Sequence, residues 1–150
     1  MTQGHYRRLL LMAGLSLLAM YALMYAMVNE AGNVYANLNQ FYMAGLMTAP
    51  MVLLELAIMG SMYPDRKLNR GLAAAGAVAL IAFWLLIRQQ TAVTDGQFLR
   101  SMIPHHAGAI LMCEKAAPED AEIVKLCGSI VSSQQAEIDQ MKAILARLRP

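Results

Sequence analysis

The chain has 150 residues, 58% of them hydrophobic and only 15% charged, with a formal net charge of +2. Soluble domains run at about 45–50% apolar and about 25% charged, so this composition excludes a disordered charged tail and points to a membrane. A balance so near neutral gives no reason to expect nucleic-acid binding, and two Cys without a Cys-x-x-Cys exclude a disulfide scaffold or a zinc-ribbon centre.

Residues 9–28 (LLLMAGLSLLAMYALMYAMV) carry no charge, enough to cross about 30 Å of hydrocarbon at about 1.5 Å per residue. The run exceeds the 7–15 or so apolar residues of a cleaved secretory signal, so it reads as a retained span. Met20, Met24 and Met27 fall on one narrow stripe of it. Residues 29–40 are polar, with Asn29, Glu30, Asn33, Asn37 and Asn39 but no Lys or Arg; this loop either covers the polar domain downstream or is simply solvated.

The second apolar run, 41–63, is broken only by Pro50 and Glu55. Met43, Met47, Met51, Glu55 and Met59 follow at steps of four, with Met62 three further on. Each step of four drifts about 40° around a helix, so the compact part is Met47, Met51 and Glu55, beside the carbonyl that Pro50 frees. An ionisable group deep in a span is costly to bury and marks a functional candidate. Met–Met–Glu suits a soft monovalent cation. In the competing reading the Met side chains only pack, and Glu55 bonds Tyr21, Tyr25 or the backbone. A Met-x-x-x-Met stripe in a three-span protein is similar to that of eukaryotic copper-uptake channels, although the topology here is inverted and no matching glycine motif appears in the third run.

That third run, 71–87, is short and rich in Ala and Gly, with Trp84 near its end and Arg88 closing it. Arg7 and Arg8 precede the first run, and Arg66, Lys67 and Arg70 precede the third. The positive-inside rule therefore places the N-terminus in the cytoplasm of a bacterial inner membrane and everything after Arg88 in the periplasm; Arg88 itself dissents slightly. The expected organisation is a membrane domain, 1–90, and an extracytoplasmic domain, 91–150.

Thr94 with Gln97 suggests a capping box that opens a helix running to about Ala117, with Pro104 kinking or breaking it. Pro118 at a first helical position, followed by Glu119, Asp120 and Glu122, suggests a second helix to about Leu148. Its apolar positions step by three and four through Ile123, Cys127, Ile130, Gln134, Ile138, Met141, Leu145 and Leu148. On the first helix Phe98, Met102, His105, Ala109 and Met112 form the expected answering seam. A hairpin of this size buries little alone, so it is expected to associate, most simply as a homodimer giving a four-helix bundle, with dimer or higher oligomers allowed. The expected fold class is all-α.

Met102, His105, His106 and Met112 lie at spacings of three, four and seven, which share a helical face. Thioether and imidazole together select copper, particularly Cu(I), with Ag(I) as its mimic; zinc on the His pair is not excluded by ligand type. Met on a helix more often fills a core, and a lone His is more often hydrogen-bonded there, so spacing alone leaves both readings open. The stretch Met102-Ile103-Pro104-His105-His106, with Ala109, Ile110 and Met112, resembles the bacterial domain of unknown function 305 family. Gln134, Glu137, Ile138 and Met141 match that family's second-helix pattern, and the resemblance covers about residues 94–148. It implies a ferritin-like helical bundle, copper binding or tolerance, and Met102, His105, His106, Met112 and Met141 as ligands. The chain departs from many relatives in carrying Cys113 and Cys127.

Those two Cys are equidistant from the expected turn at residue 120 and so fall level on facing helices. A disulfide closing the loop would contribute about 3 kcal/mol in an oxidising compartment; the rival is a pair of thiolate ligands beside His106. Further candidate metal residues are Met47, Met51, Glu55, Met20, Met24 and Met27. With no nucleophile–base pair and no nucleotide motif, no enzyme is expected. The reading is a membrane-anchored copper-binding protein for capture, storage or tolerance, with lipid as its surroundings and an unidentified copper-handling protein as a further partner. The alternatives are a structural membrane oligomer and a Met-lined copper transporter or channel.

Overall fold

A computed structural model describes residues 3–148; Met1, Thr2, Arg149 and Pro150, at the outer ends of the two expected domains, lie outside the described residues. These contain five α-helices and no strand: α1 (Gln3–Leu23), α2 (Leu38–Ile58), α3 (Arg66–Gln89), α4 (Asp95–Lys115) and α5 (Ala121–Arg147). Three segments, Gly4–Met27, Leu38–Ile58 and Arg66–Gln89, are long and apolar enough to cross a membrane. The third is longer than its apolar run because Asp65 starts it early, its carboxylate accepting from the Lys67 and Leu68 backbone N–H groups at 2.9 and 3.0 Å. The second stops at Ile58, and Gly60–Met62 form a 3-10 turn instead of continuing the helix to residue 63.

The chain forms two compact units. One holds the chain up to Leu23 with Asn39–Thr91; the other holds Met24–Leu38 with the chain from Ala92 onward. In the first unit α1, α2 and α3 run up, down and up. Tyr6 Oη donates to Asn69 Oδ1 at 2.8 Å at one end, and Tyr42 Oη donates to the Thr91 carbonyl at 2.9 Å at the other. Between them α2 and α3 approach closely at Gly45, where an added Cβ would clash with the Phe83 ring. Small residues at such crossings let helices gain dispersion contacts where no hydrophobic effect drives them together.

The second unit is an antiparallel hairpin of α4 and α5. Thr94 caps α4, its hydroxyl accepting from the Gln97 N–H at 3.4 Å. The expected box is only half formed, because the Gln97 side chain instead accepts from the Leu38 N–H at 3.0 Å. Helix α4 continues through Pro104. The start of α5 also differs from the expectation: Asp120, not Pro118, sets it, accepting from Glu122 and Ile123 N–H at 2.9 and 3.1 Å. Two N–H groups satisfied by one carboxylate at a helix N-terminus outweigh a pre-set proline φ one turn earlier. Pro118 lies in the turn, after Ala117 at φ 45°.

The hairpin core is Leu99, Ile103, Ala107, Ile110, Ile138, Met141 and Leu145. On α5 the expected seam is buried only at Ile138, Met141 and Leu145; Cys127, Ile130 and Gln134 are half-buried, and the ends, Ile123 and Leu148, are exposed. On α4 the buried stripe is the one beside the expected seam. Phe98, His105 and Met112 are exposed, Met102 and Ala109 half-buried, while Leu99, Ile103, Ala107 and Ile110 fill the interior. Both stripes have helical periodicity, and the one with branched aliphatic side chains packs.

Residues 24–38 cover this hairpin. Val28 and Tyr35 pack against the core, Tyr25 Oη donates to the Tyr35 carbonyl at 2.7 Å, and Glu30 lies 3.8 Å from Lys142 Nζ. Asn33 is fully buried and its amide donates to Asn29 Oδ1 at 2.8 Å. At Gly108 an added Cβ would already touch the Met27 carbonyl at 3.5 Å, so the small residue lets the covering segment lie close.

Candidate metal centre

Helix α4 carries its functional residues on two faces. His106 points inward and is buried. Its Nε2 donates to Glu137 Oε2 at 2.7 Å, and its Nδ1 lies 2.9 Å from the Met102 carbonyl. Both ring nitrogens are thus engaged, and His106 can bind a metal only after releasing one of these partners. Met141, on α5, is also in the core.

The other residues face outward. His105 is exposed, its ring centroid 6.1 Å from that of His106, and Met112 is 55% exposed. Met102 is half-buried, between the two faces. The five expected ligands therefore divide: His105 and Met112 are exposed, Met102 is half-buried and packs against the core, and His106 and Met141 lie in the interior. Cys113 and Cys127 form a disulfide with Cα atoms 5.2 Å apart, which leaves no thiolate beside His106 in this form. Among the described residues, no three His, Cys, Asp or Glu side chains converge as a metal site.

In the membrane unit the methionines disperse. Met20 receives a contact from Thr48 Oγ1 at 3.7 Å. The α-helix ends at Leu23, so Met24 and Met27 sit in a 3-10 turn and leave the α-helical stripe with Met20. On α2, Met43 and Met47 are exposed, Met51 and Glu55 half-buried, and Met59 and Met62 lie past the helix end. The Glu55 carboxylate accepts from Tyr63 Oη at 3.1 Å, not from Tyr21 or Tyr25 as considered. Tyr63 lies beyond the second span. Burial first, then this hydrogen bond and the Glu55 charge, raise its phenol pKa above the ordinary value.

Sequence reading passed over two groupings. The His106–Glu137 pair joins residues 31 apart in sequence; the signals for it were the hairpin level set by Cys113 and Cys127 and the place of Glu137 in the second-helix pattern. The other is a cavity of about 200 Å³ lined by His5, Arg8, Leu9, Met12, Glu55, Met62 and Tyr63. Its one available signal was that His5 is the single His outside 91–150.

Three apolar helices and a disulfide-closed polar hairpin define a class, an all-helical protein with membrane-spanning capacity and a compact polar unit. Within it, residues 57–145 match the family described as domain of unknown function (DUF305), and the chain belongs to that family. It is 33% identical over 123 residues to an uncharacterized protein of Acanthamoeba polyphaga mimivirus, with 78% of this chain and 76% of that protein covered. No solved structure matches. The family match begins at residue 57, ahead of α3, and not at about 94 where the motif-bearing stretch begins. The mimiviral alignment is longer than the whole of 91–150, so it too takes in part of the apolar helices.

Proposed function

We propose that the protein is a membrane-anchored copper-binding protein that captures Cu(I), or Ag(I) in its place, on the outer face of α4 through Met102, His105 and Met112. One observation carries this reading. The core of the hairpin is filled by Leu, Ile and Ala from α4, while the neighbouring stripe keeps an imidazole and a 55% exposed thioether outside it. Met112 is therefore not a gap-filler, the usual use of Met. Met and His match the softness of Cu(I), and no carboxylate stands in the set to favour Ca²⁺ or Mg²⁺. His106, held by Glu137, orients this turn, and Met141 backs it from α5.

The N-terminus faces the cytoplasm and the hairpin the periplasm of a bacterial inner membrane. The Arg and Lys distribution supports this, as does a disulfide in the hairpin, which suits an oxidising compartment. The ion would come from, or pass to, a copper-handling protein. A second reading, assembly, is favoured by the exposed Phe98, Ile123, Val124 and Leu126, apolar side chains that a ferritin-like bundle of two hairpins would cover. The two are compatible. The transporter reading rests on Glu55 and the α2 methionines, which divide between exposed and half-buried positions.

Ag(I) titration of the full chain in detergent tests the capture site without reductant, so the disulfide stays intact. The triple variant Met102→Leu/His105→Ala/Met112→Leu is expected to bind at the hairpin at least about tenfold more weakly, given that even outer-shell losses cost about 10–100-fold. Unchanged affinity would remove the site from α4.

A further inference from the structure

The membrane unit holds a cluster that joins Glu55 and Met62 to residues none of the readings above uses. Where α1 begins and α2 ends, a cavity of about 200 Å³ is lined by His5, Arg8, Leu9, Met12, Glu55, Met62 and Tyr63. The Nδ1 atom of His5 is buried and has no hydrogen-bond partner among the described residues. A buried polar atom without a partner costs about 1–3 kcal/mol, so such atoms ask for an explanation. The His5 ring meets the Tyr63 ring edge-on, with centroids 6.5 Å apart. Tyr63 also donates to Glu55 at 3.1 Å, so one phenol contacts both the imidazole and the carboxylate.

We propose that His5, Met12 and Met62 form a second soft-metal site, taking a monovalent Cu(I) or Ag(I) ion, with Glu55 supplying the compensating negative charge. The donor set decides the class of ion: one imidazole nitrogen and two thioethers are soft to borderline ligands. Charge decides its valence. Arg8 also lines the cavity, and Arg7 lies beside it in the chain. These cations oppose a doubly charged ion more strongly than a singly charged one, and a single carboxylate can neutralise only the latter. Glu55 thereby has a use that explains an ionisable residue within the second span, and it works with the methionines of the cavity rather than with Met47 and Met51. The site stands on residues of α1 and of the turn after α2, independently of the hairpin.

Stoichiometry and methionine protection test it on the full chain in detergent. Wild type titrated with Ag(I) is expected to bind one more equivalent than Met12→Leu/Met62→Leu, a substitution that keeps volume and apolarity. In the same protein Ag(I) is expected to protect Met12 and Met62 from peroxide oxidation, read by peptide mass spectrometry, while the exposed Met43 and Met47 are oxidised with or without the ion. Hairpin binding, lost in Met102→Leu/His105→Ala/Met112→Leu, should persist in the Met12/Met62 variant, so the two sites fail or survive separately. Equal stoichiometry in wild type and Met12→Leu/Met62→Leu, or oxidation of Met12 and Met62 unaffected by Ag(I), would overturn the second site.

Discussion

The two faces of α4 have the same period and opposite chemistry. Leu99, Ile103, Ala107 and Ile110 are buried, with Ile103 fully so, whereas Phe98, His105 and Met112 stand in the open a third of a turn away. Aliphatic side chains with few rotamers fill a core at close-packed density, and an unbranched thioether adds little there that Leu does not. A Met outside the core keeps its sulfur available. The contrast teaches that periodicity identifies a helix but leaves its phase open, and that residue chemistry settles which stripe turns inward.

The sharpest way to break this contrast is to truncate one residue on each face. Ile103→Ala is expected to cost about 2–5 kcal/mol, seen as a lower denaturation midpoint of the hairpin. Met112→Ala, a similar loss of atoms, should stay within about 0.5 kcal/mol while weakening Ag(I) binding. Equal losses from the two would merge the faces into one core. The next largest effect concerns the staple across the hairpin: Cys113→Ser/Cys127→Ser should cost about 3 kcal/mol on the chain-entropy model, with Ag(I) stoichiometry unchanged because neither sulfur is a ligand. A lost equivalent would restore the cysteines as metal residues.

Smaller effects follow inside each unit. Glu137→Ala leaves the buried His106 Nε2 without its acceptor and should cost about 1–3 kcal/mol in hairpin stability, whereas Glu137→Gln, which keeps an acceptor oxygen, should cost less. Equal costs for the two would mean that the charge of Glu137, not its hydrogen bond, matters. In the membrane unit Gly45→Ala forces a Cβ against the Phe83 ring and should lower the thermal midpoint in detergent by the equivalent of about 1–3 kcal/mol. No change would show that α2 and α3 pack less closely than the glycine implies.

Much of this was legible in the residues. The three apolar runs announce the three long helices, because no soluble helix needs so many uncharged residues. The level placement of Cys113 and Cys127 is arithmetic on a hairpin turn, and Thr94 is a recognisable cap, whereas the Asp65 and Asp120 caps were hidden behind the apolar run at 71 and behind Pro118. The phase of α4 was not legible, since Met102, His105 and Met112 imitate an apolar seam at helical spacing. For residues 29–40 the sequence left covering and solvation open, and Asn33, fully buried and donating to Asn29, favours the cover. The His106–Glu137 pair and the His5 cavity join distant residues, and such pairings arise from register and packing, which one sequence does not display.

The outer face of α4 as a Cu(I) site is tested most directly by X-ray absorption at the copper edge of the Cu(I)-loaded full chain, wild type against Met102→Leu/Met112→Leu. With Met12 and Met62 also changed to Leu in both proteins, the hairpin is read alone. The expected result is sulfur with nitrogen around copper in the first protein, and loss of the sulfur scattering in the second. A copper environment of the same sulfur content in both would contradict the assignment.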